Sequence, residues 1–192
     1  MFWRRIKSLF GRQARTWNGD FSHLSKVLSE RIIPNAMAAT QLAVLQFKKD
    51  QEVTKKQEET IFFEYLVAFL SLADRSIFRS SLKNDRDSVM NALVETTIIQ
   101  ITESLQSHKS EFATFFISLY NVRQSEYGSC KRLFDGDSGE GPIFCLRTAS
   151  HLLNAAQHET DETLLVLYAK VMSAFVVLIG EIDAILLHSG VE

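Results

Sequence analysis

Two aspartates are the residues best placed for acid–base chemistry, because helical spacing puts both among apolar side chains. Asp183 shares a face of the last predicted helix with leucine, valine and methionine, and Asp74 lies among aromatic residues. A buried carboxylate can transfer protons from a pocket, or it can form an internal ion pair that fixes helix register. We favour the ion pair. The candidate partners of Asp183 are Arg75, Arg79 and Arg147.

No other pattern predicts catalysis or metal binding. His151 and His158 share a helical face, but seven residues separate them by about 10.5 Å, which is too far for one metal ion. Their line predicts a solvated edge or the wall of a ligand groove. Cys130 and Cys145 lack the C-x-x-C spacing of zinc or redox sites, and we expect free thiols in the cytoplasm. The sequence therefore predicts no catalytic, cofactor-binding or metal-ligating residue.

The first seventeen residues form a basic amphipathic segment with five positive charges and no carboxylate. On a helical period its apolar and basic residues fall on opposite sides. The apolar side comprises Phe2, Trp3, Ile6, Leu9, Phe10 and Trp17, and the basic side Arg4, Arg5, Lys7, Arg12 and Arg15.

Three contacts fit this N-terminal segment. It can lie on an anionic membrane surface, with aromatic residues inserted and arginines among head groups. It can dock on its own domain or on a second subunit of a homodimer. It can also be a mitochondrial transit sequence, since such sequences lack acidic residues.

The remaining residues, 18–192, carry a net charge of −7, which disfavours nucleic acid as a partner. Helical periodicity dominates, and glycine is concentrated in 128–142, which predicts a flexible loop there. We therefore predict an all-α single-domain bundle of six or seven helices. The last helix, from 160 to 188, is apolar nearly all round and is expected to be mostly buried at the centre.

Three local expectations follow from the same patterns. Pro34 predicts a break or a kink in the helix and fits best in the first turn of a new helix. The charged stretch 48–59 contains i,i+4 pairs that would let it stay helical in solvent. Glu64, Ser71 and Arg75 form one polar line, which predicts a solvent-facing stripe.

The function expected from these features is that of a non-enzymatic interaction protein, regulatory or scaffolding, that contacts a membrane or a partner through residues 1–17. Self-association is expected because many aromatic residues must be buried by a small domain. The alternative is a bundle that binds a small apolar ligand, or an enzyme that acts on one, in an interhelical pocket near Asp183.

Overall fold

The computed structural model describes residues 21–105, 109–130, 141–158 and 161–188, and within these ranges all regular structure is helical. The predicted all-α bundle of six or seven helices is confirmed, with six α-helices in the described ranges. Residues 1–17 and most of the predicted loop lie outside the described residues. The helices are α1 Phe21–Phe47, α2 Lys55–Arg79, α3 Arg86–Leu105, α4 Lys109–Gly128, α5 Gly141–Ala156 and α6 Asp161–His188, with a 3₁₀ turn at Ser81–Asp85.

Helix α1 continues through Pro34, so of the predicted break or kink the break, with a new helix starting there, is wrong. A proline inside a helix costs about 3 kcal/mol, because it removes one hydrogen bond and crowds the preceding turn. Pro34 and Glu30, whose carbonyl loses that bond, are both on the exposed side, where water can reach the carbonyl. On the other side Leu28 and Ile32 are fully buried. Each contributes about 1.5–3 kcal/mol, which together outweighs the cost of the proline.

Of the charged stretch 48–59, residues 55–59 are helical as predicted and begin α2, whereas residues 48–54 form a turn. Its C-terminal end holds a capping box, in which the Thr54 hydroxyl accepts a hydrogen bond from the Gln57 backbone N–H at 3.3 Å. The Gln57 side-chain oxygen accepts one from the Thr54 backbone N–H at 2.8 Å. Satisfied donors of this kind favour the start of a new helix over continuation of the old one. Lys48 and Glu58 form an ion pair of 2.9 Å across the turn.

Helix α2 is the centre of the bundle, a place that the sequence assigned to the last helix. Every residue from Glu64 to Asp74 is buried, which requires neighbours on all sides of α2. Those neighbours are the other five helices. The dense aromatic and aliphatic composition of this segment supplies the apolar surface that such a position needs.

Contacts at both ends of α2 show the direction of α5. Gln57, near the start of α2, donates a hydrogen bond of 2.8 Å to the carbonyl of Ala156 at the end of α5. Arg75, near the end of α2, lies over the ring of Phe144 near the start of α5. Helix α5 is therefore antiparallel to α2. The following helix, α6, turns back and lies against α1, α2 and α5.

Helix α6 is only partly buried, so the prediction of a mostly buried last helix is wrong. Its inner side is anchored by Phe175, Leu178 and Ile182, none of which is exposed. The Phe175 ring lies 5.9 Å from that of Phe69 and 5.1 Å from that of Phe144, measured between centroids. The opposite side of α6 has no neighbouring helix in the described part of the chain.

Candidate interaction surface

The two aspartates singled out from the sequence lie in different surroundings. Asp74 is buried and accepts two hydrogen bonds of 2.6 Å from Arg86, which gives a bidentate ion pair. Asp183 is only half-buried, so the expectation that it is enclosed is wrong. It lies at the edge of a side of α6 that faces outward, and that orientation could not be seen from the spacing of apolar residues.

The outward side of α6 is a mainly apolar surface, with Ser173 within it and Asp183 beside it. We call it the outer face of α6. Leu165 is 69% exposed, Val176 is 56% exposed and Leu187 is 55% exposed. These are values typical of polar surface residues rather than of branched aliphatic side chains. The exposed members of this face are Leu165, Val166, Ala169, Met172, Ser173, Val176, Val177, Gly180, Ala184 and Leu187.

The outer face is long and shallow. From Leu165 to Leu187 it extends about 33 Å along the helix axis, at 1.5 Å per residue. Small residues alternate with large ones along it, and the space above Gly180 is open. A second helix can approach closely where small residues lie, and larger side chains can enter the gaps between them.

Charged residues border the outer face near its ends. Lys170 and Glu181 are half-buried on the side that turns towards α1, where Glu181 accepts a hydrogen bond of 3.0 Å from Asn35. Asp183 lies at the opposite margin. By length and composition alone α6 could cross a membrane, yet only 28% of its most apolar stretch is buried in the bundle.

A second feature, which the sequence did not predict, is an ionic network between α2, α4 and α5. Arg123 donates hydrogen bonds of 2.8 and 2.7 Å to the two carboxylate oxygens of Glu64. Glu64 is buried, and Ser71 is buried beside it with its hydroxyl accepting a hydrogen bond from Gln124. The predicted solvent-facing stripe is therefore wrong for both residues, because α4 covers it.

The network continues to α5 through Glu126. Arg123 also pairs with Glu126 at 3.2 Å, and the Glu126 carboxylate lies 2.7 Å from Nε2 of His151. Arg147 donates to the Glu126 carbonyl and to the Ser129 hydroxyl. His151 is thus held against α4 and is largely covered, unlike the solvated edge expected from its spacing.

Arg75 closes the network at the end of α4. Its guanidinium donates to the Tyr127 carbonyl at 2.5 Å and lies 5.3 Å from the centre of the Phe144 ring. Burial lowers the pKa of Arg75, whereas the hydrogen bonds to Glu64 raise the pKa of Arg123. The acidic, basic and imidazole groups of this network are matched to one another, an arrangement that ties helices together.

Alkaline pH is expected to unfold the protein as Tyr65 and Tyr127 ionise. Burial raises the pKa of both phenols above their usual value. A group with a raised folded-state pKa contributes stability that is complete below its unfolded pKa of about 10 and is lost as pH rises towards the folded value. Helical circular dichroism should therefore fall only above about pH 10, together with the appearance of tyrosinate absorbance. Full tyrosinate absorbance with an intact helical signal would contradict this expectation.

Within the described ranges, no group of three or more histidine, cysteine, aspartate or glutamate side chains could hold a metal ion. Cys130 and Cys145 are both buried free thiols, and burial raises the pKa of Cys145 to about 12.

No protein-family model matches the chain, and no curated protein or solved structure is significantly similar to it.

Proposed function

We propose that the protein is a non-enzymatic helical interaction module that binds an apolar helix of a protein partner on the outer face of α6. The observation that carries this proposal is the exposure of that face. Contiguous exposed apolar surface of this extent is typical of interaction sites and is rare elsewhere on a monomer. The apolar side chains gain free energy from any partner that removes them from water.

The charges around the outer face favour a protein partner over lipid. A charged side chain in the centre of a bilayer costs about 2.5–3.5 kcal/mol, and α6 carries Lys170, Glu181 and Asp183 along its length. At a helix–helix interface these residues lie at the rim, where they remain in water or meet charges on the partner. The small residues Ala169 and Gly180 also suit close helix–helix contact.

The ionic network supports a non-enzymatic role. A catalytic acid or base must reach a substrate, whereas Glu64 is enclosed by Arg123, and His151 lies against Glu126. We predict that residues 1–17 make a second contact, with an anionic membrane surface or with another protein. Free buried cysteines suit the reducing cytoplasm, which we propose as the location.

A matched pair of substitutions tests this function. Val176 on the outer face and Val122 on α4 are almost equally exposed, at 56% and 53%. Because exposed substitutions change stability by less than about 0.5 kcal/mol, Val176→Glu and Val122→Glu should both fold. In extracts of the cells that produce the protein, the wild type and Val122→Glu should elute by gel filtration in an assembly larger than one chain. Val176→Glu should elute as a 21.8 kDa monomer.

Two results would contradict the proposal. In one, all three proteins elute as monomers, so that nothing binds the outer face. In the other, both variants leave the assembly unchanged, so that the partner binds elsewhere. Urea unfolding of the purified variants provides the control that neither substitution damages the fold.

A further inference from the structure

We infer that the partner of the outer face of α6 is the same face of a second copy of this chain, paired antiparallel about a two-fold axis at Val176. The inference rests on the proposed function, because it names the partner for that surface. A two-fold interface is isologous, so every residue on one copy must find a complement on the same surface of the other. The outer face meets this requirement in shape and in charge.

The exposed residues of the outer face are placed symmetrically about Val176. Val176 is midway between Leu165 and Leu187, which end the outer face. Antiparallel pairing about Val176 therefore places Leu165 of one copy opposite Leu187 of the other, about 16.5 Å from the axis. The same symmetry places Met172 opposite Gly180, where the space above the glycine is open. At this point a large residue meets a small one, whereas Leu165 and Leu187 meet as two large apolar residues.

The charges of Lys170 and Glu181 favour the antiparallel arrangement over the parallel one. Lys170 and Glu181 lie on the same margin of α6, almost equally far from Val176 in opposite directions. An antiparallel pair brings Lys170 of one copy level with Glu181 of the other to within about 1.5 Å along the axis, and does so twice. In a parallel pair the same margin of the two copies would lie on opposite sides of the interface, so Lys170 of one copy would not meet Glu181 of the other.

The size of the outer face sets the expected affinity. Standard protein interfaces use about 20–30 residues per partner, and this face offers about half as many. We therefore expect a reversible rather than a permanent dimer. Sedimentation equilibrium of the purified full chain, from micromolar to near-millimolar concentration, should show a monomer–dimer equilibrium. Val176→Glu should weaken it at least about tenfold, and Val122→Glu should not.

Cysteine cross-linking tests the register and direction. Under mild oxidation Val176→Cys should form a disulfide-linked dimer by itself, because this position meets its own copy at the axis. Leu165→Cys and Leu187→Cys should each fail to cross-link alone but should cross-link when mixed. The native thiols Cys130 and Cys145 are buried and contribute little background. Val122→Cys is the control for random collision.

Each other outcome overturns the inference in a distinguishable way. Self-cross-linking of Leu165→Cys would mean parallel pairing. A purified monomer at every concentration would exclude a second copy, and a large assembly in extracts would then leave the proposed function standing with another partner. A monomer whose Val176→Cys thiol resists maleimide would show that the chain covers the face itself, for example with residues 1–17. Val176-dependent pelleting with anionic vesicles, without dimers, would assign the face to lipid and overturn the proposed function as well.

Discussion

Replacing Arg123 by alanine is expected to destabilise the fold by about 3–5 kcal/mol. The Arg123 and Glu64 side chains are only 16% and 6% exposed, and the substitution leaves the Glu64 carboxylate buried without its bidentate partner. An uncompensated buried charge is far more costly than the net contribution of the ion pair itself. Urea unfolding followed by circular dichroism measures the change in the free energy of unfolding.

Two further substitutions test whether the loss in Arg123→Ala comes from the unpaired charge of Glu64 and from its burial. Removing both charges in Glu64→Leu with Arg123→Met should cost much less than Arg123→Ala, because no lone charge remains. Arg86→Ala removes a similar bidentate pair and leaves Asp74, whose side chain is 12% exposed, so it should also destabilise the fold. The loss should be smaller than for Arg123→Ala, because the 41% exposed Arg86 side chain leaves a site that water can enter. A loss below about 1 kcal/mol for Arg123→Ala would show that water reaches Glu64.

Phe175→Ala is expected to cost a similar amount, about 3–5 kcal/mol. The ring is fully buried and joins α6 to Phe69 of α2 and Phe144 of α5, so its loss leaves a cavity between three helices. Val176→Ala changes the adjacent residue on the outer face and should cost less than about 0.5 kcal/mol in the monomer. Thermal or urea unfolding at low protein concentration compares the two.

The contrast between these two neighbours matters more than either value. One side of α6 is packed in the bundle and the other is exposed, so adjacent substitutions should differ severalfold in cost. Equally large losses of unfolding free energy for both substitutions in the monomer would show that the chain covers both sides of α6. An equally small loss for both would show that α6 is not anchored to the bundle.

Helix content and placement could be predicted from the sequence because they depend on local periodicity. The predicted last helix from 160 to 188 is observed at Asp161–His188. The continuous α1 is an exception, since the cost of Pro34 is met by burial that local patterns do not reveal.

The choice of central helix and the ionic network could not be predicted. The apolar residues all round α6 indicate that this helix is stabilised by burial. They do not indicate whether the residues that bury it belong to the same chain or to another. Glu64 resembled a surface residue because its partner, Arg123, is 59 positions away and reaches it only in the folded bundle. Asp183 was expected inside because its apolar neighbours were assumed to face the core.

The most direct test of the account is the size of the native assembly that contains Val176→Glu, compared with Val122→Glu, in extracts of the producing cells. We predict that only the substitution on α6 reduces the protein to a single chain. If the assembly is unchanged by a charge placed in the middle of that exposed helix, the account of α6 as a binding surface is wrong.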